Sequence, residues 1–303
     1  SSDLVIQAFS QTTLNEAFIE QKLSDARKIT RDLTEDVKTQ SGSSSFDGYC
    51  RQNFLDNLMR GGYPIRLAEK QVYHVYSRKH GDIERDYNYF VLPPTPYSQG
   101  NGNYRDINQN RRNDVFFFFF AGRFNIWLFM CLIQADGYNP LVLEGISFSL
   151  PSNRIPELLD LASQPEALSQ VLARPFTPGE LFTAAQDAGL SIPAEDFLGR
   201  VISQAELIIH AEHGEGYWID HWTYNLDLMD AYLAVFPDKR EDLLFHAAPL
   251  PFYDSAHLVQ PRRDRTVLAD GQPRQMGAVV ADPEKAGLIA ARAQDAHWAR
   301  TAQ

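Results

Sequence analysis

Apolar residues recur at intervals of three and four along most of this 303-residue chain, the spacing that lays one helix face against a core. Ile19, Leu23, Ala26, Thr30, Leu33 and Val37 form one such stripe. It follows Thr13-Leu14-Asn15-Glu16, where a hydroxyl and a carboxylate stand at capping-box spacing, and it breaks at Ser41–Ser45. Phe46, Cys50, Phe54 and Leu58 predict a second helix, stopped by Gly61-Gly62. Between Gln71 and Leu92 the period shortens, and Val72–Tyr76 and Tyr87–Leu92 predict two strands joined around Gly81.

Pro93, Pro94 and Pro96 open a polar loop, Tyr97–Asn113, before a long helix expected from about Ala121 to Ala135 and closed by Asp136-Gly137. Thr177-Pro178-Gly179-Glu180 places a hydroxyl cap, a proline at the first helical position and a glutamate at the third. Leu181, Ala184, Ala185 and Ala188 continue that helix to Gly189, and Phe197, Val201, Ala205 and Ile208 predict a returning partner, an αα-hairpin. Trp218, Trp222, Leu226, Met229 and Leu233 carry a further stripe to Pro237; from Pro249 to Asp282 the pattern fades. The expectation is a mainly α fold: an incomplete (α/α)6 toroid-like set of helical hairpins with a small β-hairpin region near residues 71–92. Residues 1–96 would be an N-terminal helical and linker region with short strands, and 97–303 the partial barrel. A solenoid has the same periodicity.

Composition narrows the function classes. Hydrophobic residues make up 44% and charged residues 22%, as in a globular chain with a core. The net charge of −11 argues against a nucleic-acid partner, which needs a basic face, and against attachment to anionic lipid. Val115–Ile133 is almost wholly apolar, but it holds Gly122, Arg123 and Asn125. A charge at mid-span is expensive in lipid, so the stretch predicts a buried core helix and no membrane partner. Two cysteines, Cys50 and Cys131, cannot staple a chain of this size and suit a reducing compartment. With no basic and apolar leader, a cytoplasmic location is expected.

The densest chemistry lies between Tyr97 and Asp114, where amides, guanidinium groups and carboxylates precede the apolar stretch. A sugar presents hydroxyls that each donate and accept; Asp accepts pairs of them, Arg forks onto adjacent oxygens, and Asn or Gln does both. A solvated loop capping a helix has the same composition. Tyr104-Arg105-Asp106-Ile107-Asn108-Gln109 resembles the Arg-Asp-x-x-Gln-Asp signature of cellobiose phosphorylases and related enzymes of glycoside hydrolase family ninety-four, where it introduces an early helix of an (α/α)6 barrel. The resemblance implies that Arg105 and Asp106 hold hydroxyls of a donor glucosyl unit, supported by Gln109 and flanked by Tyr104. Asn110 departs from the family's Asp.

The second constellation runs from His210 to Asp227. Glu215 and Asp220 are candidates to bind a hydroxyl or move a proton, and Trp218 or Trp222 to stack on a pyranose; equally, both tryptophans fit a helix core. Zinc competes through His210, His213, His221, Glu212 and Asp220, but no His-Glu-x-x-His order occurs, so no metal is expected. The Trp-Asn-Asp motif that carries the general acid in the resembled family is absent. Either the acid lies beyond this chain, in further hairpins that complete the barrel, or Asp220 supplies it.

The resulting expectation is inverting phosphorolysis of a β-glucoside or oligosaccharide. It needs no cofactor and takes inorganic phosphate as co-substrate, met by Arg262, Arg263 and His257. Inverting hydrolysis and a non-catalytic glycan-binding scaffold are the alternatives, and a homodimer or the rest of a larger chain is the expected protein partner.

Overall fold

A computed structural model describes residues 15–69, 71–75, 95–134, 136–212, 219–247, 250, 255–275 and 279–292. The chain divides into two compact units, Ser1–Asn57 and Leu58–Gln303. In the first, helix α1 (Glu16–Leu33) begins at Asn15, whose Oδ1 accepts the amides of Ala17 and Phe18 at 3.0 and 3.4 Å. Thr13 lies outside the described residues. Ile19, Leu23 and Ile29 on α1 remain about half exposed. Helix α2 (Ser44–Gly61) follows a turn in which Asp47 accepts from the Thr39 hydroxyl at 2.6 Å and from the Ser41 amide.

The second unit interleaves helices with small antiparallel sheets. Strands β1 (Tyr63–Leu67) and β2 (Gln71–Val75) form a hairpin with Tyr63 opposite Val75. Strand β3 (Gly102–Asn103) runs directly into helix α3 (Tyr104–Arg111), followed by α4 (Asp114–Phe117) and α5 (Phe124–Met130). Strand β4 (Val142–Ser149) lies between β3 and β5 (Glu206–Glu212) in a three-stranded sheet with a bulge between Leu143 and Gly145. Between β4 and β5 come α6 (Ile155–Leu159), α7 (Glu166–Leu172), α8 (Pro178–Asp187) and α9 (Ala194–Ile202), and after β5 comes α10 (Asp220–Val235). Strands β6 (His257–Val259), β7 (Thr266–Ala269), β8 (Gln272–Gln275) and β9 (Val279–Ala281) pair as two small ladders, β6 with β9 and β7 with β8, before α11 (Pro283–Arg292).

This mixed architecture overturns the mainly α, (α/α)6 toroid-like expectation: the eleven helices of the described residues are interrupted by antiparallel sheets and do not form a ring of hairpins. The expected αα-hairpin is present as α8 against α9. Thr177 and Glu180 close a capping box, Glu180 N to Thr177 Oγ1 at 3.2 Å and Thr177 N to Glu180 Oε2 at 2.9 Å. Ile208, expected on the returning helix, lies instead in β5, opposite Ser147. It sits at helical spacing from Val201 and Ala205, but the run Leu207-Ile208-Ile209 carries adjacent β-branched side chains that favour extended backbone.

The helix expected over 121–135 is also shorter. Residues 119–121 form a 3₁₀ turn, Gly122 takes φ +48°, and α5 ends at Met130. Phe116, Phe117 and Phe119 are exposed, while Phe118 is buried edge-on to Tyr63 at 5.2 Å. Among the described residues no helix is long and apolar enough to cross a membrane. The predicted strand over Tyr87–Leu92 and its turn at Gly81 lie outside the described residues; Val72–Val75 is in β2.

The core gathers where β4 meets the α7–α9 helices. Phe148, Leu168, Phe176, Leu181, Phe197 and Val201 are each at most 1% exposed. Phe148 and Phe176 exchange backbone hydrogen bonds at 2.8 and 2.9 Å, tying the strand to the entry of α8. That entry is tight: a Cβ on Gly179 would overlap the Pro96 carbonyl oxygen and lie 2.9 Å from Thr95 Oγ1. Gly179→Ala is therefore expected to destabilise the protein by about 1–3 kcal/mol through overpacking, read as a lower urea midpoint. An unchanged midpoint would contradict this packing.

Candidate functional site

The segment that the sequence marked as a sugar loop is half helix. Gly102-Asn103 pairs with β4, the Tyr104 amide donates to Leu141 O at 2.9 Å, and the chain turns into α3. Tyr104, Ile107, Asn108 and Arg111 then fall on its buried face at the spacing i, i+3, i+4, i+7. Along α10, His221, Asn225, Leu228 and Tyr232 are buried in the same manner, and the two helices pack together.

A polar joint seals them. The Tyr104 hydroxyl donates to Phe129 O at 2.9 Å and accepts from Asn225 Nδ2 at 3.2 Å, while Asn225 Oδ1 accepts from Asn108 Nδ2 at 2.6 Å. The His221 ring stacks on Tyr104 with centroids 4.7 Å apart, and Phe129 meets Tyr104 edge-on at 5.1 Å. Tyr104 is thus 0% exposed and serves as internal packing, not as a sugar platform. Burial pushes its phenol well above the ordinary tyrosine range.

Around this joint the first turns of α3 and α10 bring together Arg105, Asp106, Asp220, His221 and Tyr224. Arg105 Nε lies 3.2 Å from Asp106 Oδ1, with the guanidinium side chain 38% exposed and the carboxylate only 10%. Asp106 Oδ2 accepts from Asn103 Nδ2 at 3.3 Å. Tyr224 donates to Asp220 Oδ2 at 3.4 Å. Burial pushes the His221 imidazole down to about 4; Asp220 and Asp106 pull it up and Arg105 pushes it further down, so all three charges act on that ring. Burial also raises the Tyr224 phenol, helped by Asp220 and opposed by Arg105.

The remaining expected site residues are dispersed. Gln109 is half-buried, and Asn110 turns its amide back to donate to Asp106 O at 2.6 Å, a local helical role. Glu215, Trp218 and His213 lie outside the described residues. Trp222 is exposed on α10. Arg262 and Arg263 sit on an exposed turn, where Arg263 Nε is 3.5 Å from Asp264 Oδ2. His257 is on β6, its Nδ1 3.1 Å from Ser255 Oγ. Among the described residues no group of three or more His, Cys, Asp or Glu is placed to hold a metal ion; His210 lies against Ser147 on the sheet, whereas His221 is stacked on Tyr104. Neither cysteine is in a disulfide, and burial pushes the Cys131 thiol up to about 12.

Sequence reasoning missed a second buried cluster beside the first. His74 Nε2 and Asn125 Nδ2 converge on Asp114 Oδ2 at 2.8 and 2.9 Å. Arg111 donates to the Gly61 carbonyl and lies 5.9 Å above the Phe129 ring. Burial lowers the Arg111 guanidinium to about 10, opposed by Asp114, so it stays charged at neutral pH. His74 is pushed down to about 4 by burial and by Arg111, against the pull of Asp114, and is held neutral. Arg111 stands seven residues after Tyr104, a signal for the buried face that the polar composition masked.

Comparison of the chain with models of known families, with curated proteins and with solved structures returns no match.

The buried histidines fix a pH dependence. His74 and His221 have folded-state pKa values of about 4 against 6.5 for the free side chain. The unfolded chain therefore binds more protons between those limits. The stability gained by keeping the rings neutral is complete above pH 6.5, falls by up to about 1.4 kcal/mol per pH unit for each ring as pH drops, and levels off below about 4. Urea unfolding at pH 7 and pH 5 should show the loss, and His74→Gln should flatten it; an equal slope in both proteins would contradict a neutral buried His74.

Proposed function

We propose that the face between the first turns of α3 and α10 binds a glucosyl unit and belongs to a carbohydrate-active enzyme, one that cleaves β-glucosides by inverting phosphorolysis. The observation that carries the reading is the convergence of Arg105 and Asp106, the pair named by the resemblance, with Asp220 and Tyr224 around His221, although more than a hundred residues separate the two segments. A half-exposed guanidinium, two carboxylates and a phenol supply the fork, paired acceptors and hydroxyl that a sugar ring requires.

In this reading Asp106 is already oriented by Asn103 and Arg105, so it meets a sugar hydroxyl without first being ordered. Arg105 supplies the donors on the open side. Asp220 is the candidate proton donor to the departing oxygen, with phosphate attacking the anomeric carbon. Inverting hydrolysis would differ in the attacking water, which a second carboxylate must activate.

The test is calorimetric titration with cellobiose, followed by an assay for glucose 1-phosphate in cellobiose plus inorganic phosphate. Arg105→Ala and Asp106→Asn are each expected to weaken binding by about 10- to 100-fold, the worth of a hydrogen bond to a charged group. Asp220→Asn should lower kcat by about 10²–10⁴ with little change in KM if it is the acid. Cellobiose binding that ignores both α3 substitutions sinks the glucoside reading. Binding that responds to them, with no product in phosphate or in water alone, favours a glycan-binding role.

A further inference from the structure

A second constellation lies on the sheet, away from the polar joint of α3 and α10. A cavity of about 470 Å³ opens beside β4 and β5, with Tyr97, Ser98, Glu144, Ser147, Glu180 and His210 among its walls. Ser147 Oγ and His210 Nε2 are 2.6 Å apart. The sheet register explains this approach: Gly145 faces His210 and Ser147 faces Ile208, so the two side chains are diagonal neighbours on adjacent strands. Ser147 is 7% exposed, whereas His210 stands open to the cavity side of β5.

Three further features converge on the same wall. Ser98 is 8% exposed and its hydroxyl has no hydrogen-bond partner among the described residues, in a position that lines the cavity. A buried hydroxyl left unpaired is costly, and a ligand accepting from Ser98 relieves that cost. Tyr97 holds φ +55°, a left-handed conformation rare for an aromatic residue and held here by edge-on packing against Phe182 at 5.4 Å. Gly145 takes φ +141°, and a Cβ there would stand 3.0 Å from Gln99 Oε1, which accepts the Ile146 amide at 2.8 Å.

We propose that Ser147 is an activated nucleophile with His210 as its base, in a site that accepts a small neutral carboxylic ester. The described lining has neither Lys nor Arg, and with Glu180 paired to Arg174 at 2.7 Å it is Glu144 that disfavours an anionic substrate and repels a carboxylate product. Ser147 Oγ attacks the ester carbonyl carbon as its proton passes to His210 Nε2. The carbon–alkoxy bond breaks and the leaving oxygen takes that proton as an alcohol. Water then attacks the acyl carbon, giving one proton to His210; the acyl–Oγ bond breaks, the carboxylic acid departs, and His210 returns the proton to Ser147. Ser98 is the hydroxyl available to donate to the oxyanion.

The site does not depend on the glucoside reading. Its test is reaction of the intact protein with a fluorophosphonate probe, with the adduct mapped by peptide mass spectrometry, alongside p-nitrophenyl acetate hydrolysis. A single adduct on Ser147 is expected, absent in Ser147→Ala, and formed at least about 100-fold more slowly in His210→Gln, the loss expected when a general base is removed. Ser98→Ala should slow it by about tenfold or more. Circular dichroism and urea midpoints establish that each variant folds, and the exposed position of His210 makes His210→Gln the decisive one. An adduct missing from the Ser147 peptide, or one that forms equally fast in folded His210→Gln, overturns the proposal.

Discussion

Asn225 sits at the one place where α3 and α10 have to agree. Its amide oxygen takes the Asn108 amide and its amide nitrogen meets the Tyr104 hydroxyl, which in turn donates to the carbonyl of Phe129 on α5. Three helices thus share a buried, directional contact in which each partner's removal strands another polar group at about 1–3 kcal/mol. Apolar packing alone would tolerate rotation of either helix. The amide–phenol chain does not, because its hydrogen bonds exist at one rotation only. His221, stacked on Tyr104, is fixed by the same constraint.

The outward faces follow from that rotation. With Tyr104, Ile107, Asn108 and Arg111 turned inward, Arg105 must face away from the core and Asp106 must lie at the margin, where Asn103 and Arg105 hold it. With His221 and Asn225 inward on α10, Asp220 and Tyr224 come to the same margin. The Arg111–Asp114–His74 cluster extends the polar interior to β2 and α4. Arg111 and Asp114 are buried there, so removing either one leaves the other's charge uncompensated, a change more damaging than replacing the whole set with apolar groups.

The Ser147–His210 pair arises from a different kind of constraint. Sheet register, with the bulge before Gly145, sets the two side chains on neighbouring strands at hydrogen-bond distance. Ser147 is not legible in the sequence, because a lone serine in an alternating strand has no local signature. His210 reads from the sequence only as a metal ligand, because its hydrogen-bond partner lies 63 residues away.

What the sequence determined by itself is local chemistry. Thr177-Pro178-Gly179-Glu180 closes its own capping box because donor and acceptor are three residues apart, and the Leu181–Ala188 stripe fixes the buried face of α8. The Arg105-Asp106 pair was visible for the same reason: neighbours in the chain meet whatever surrounds them. The tertiary structure decided the rest. Ile208 stands at helical spacing from Val201 and Ala205 yet lies in a strand, because β4 offers it a ladder. Tyr104 and Arg111, polar enough to suggest a solvated loop, went inside because Asn225, Phe129 and Gly61 supply their partners from distant segments. Periodicity reports which residues can share a face, but burial of a polar side chain depends on a partner elsewhere in the fold, which no local pattern encodes.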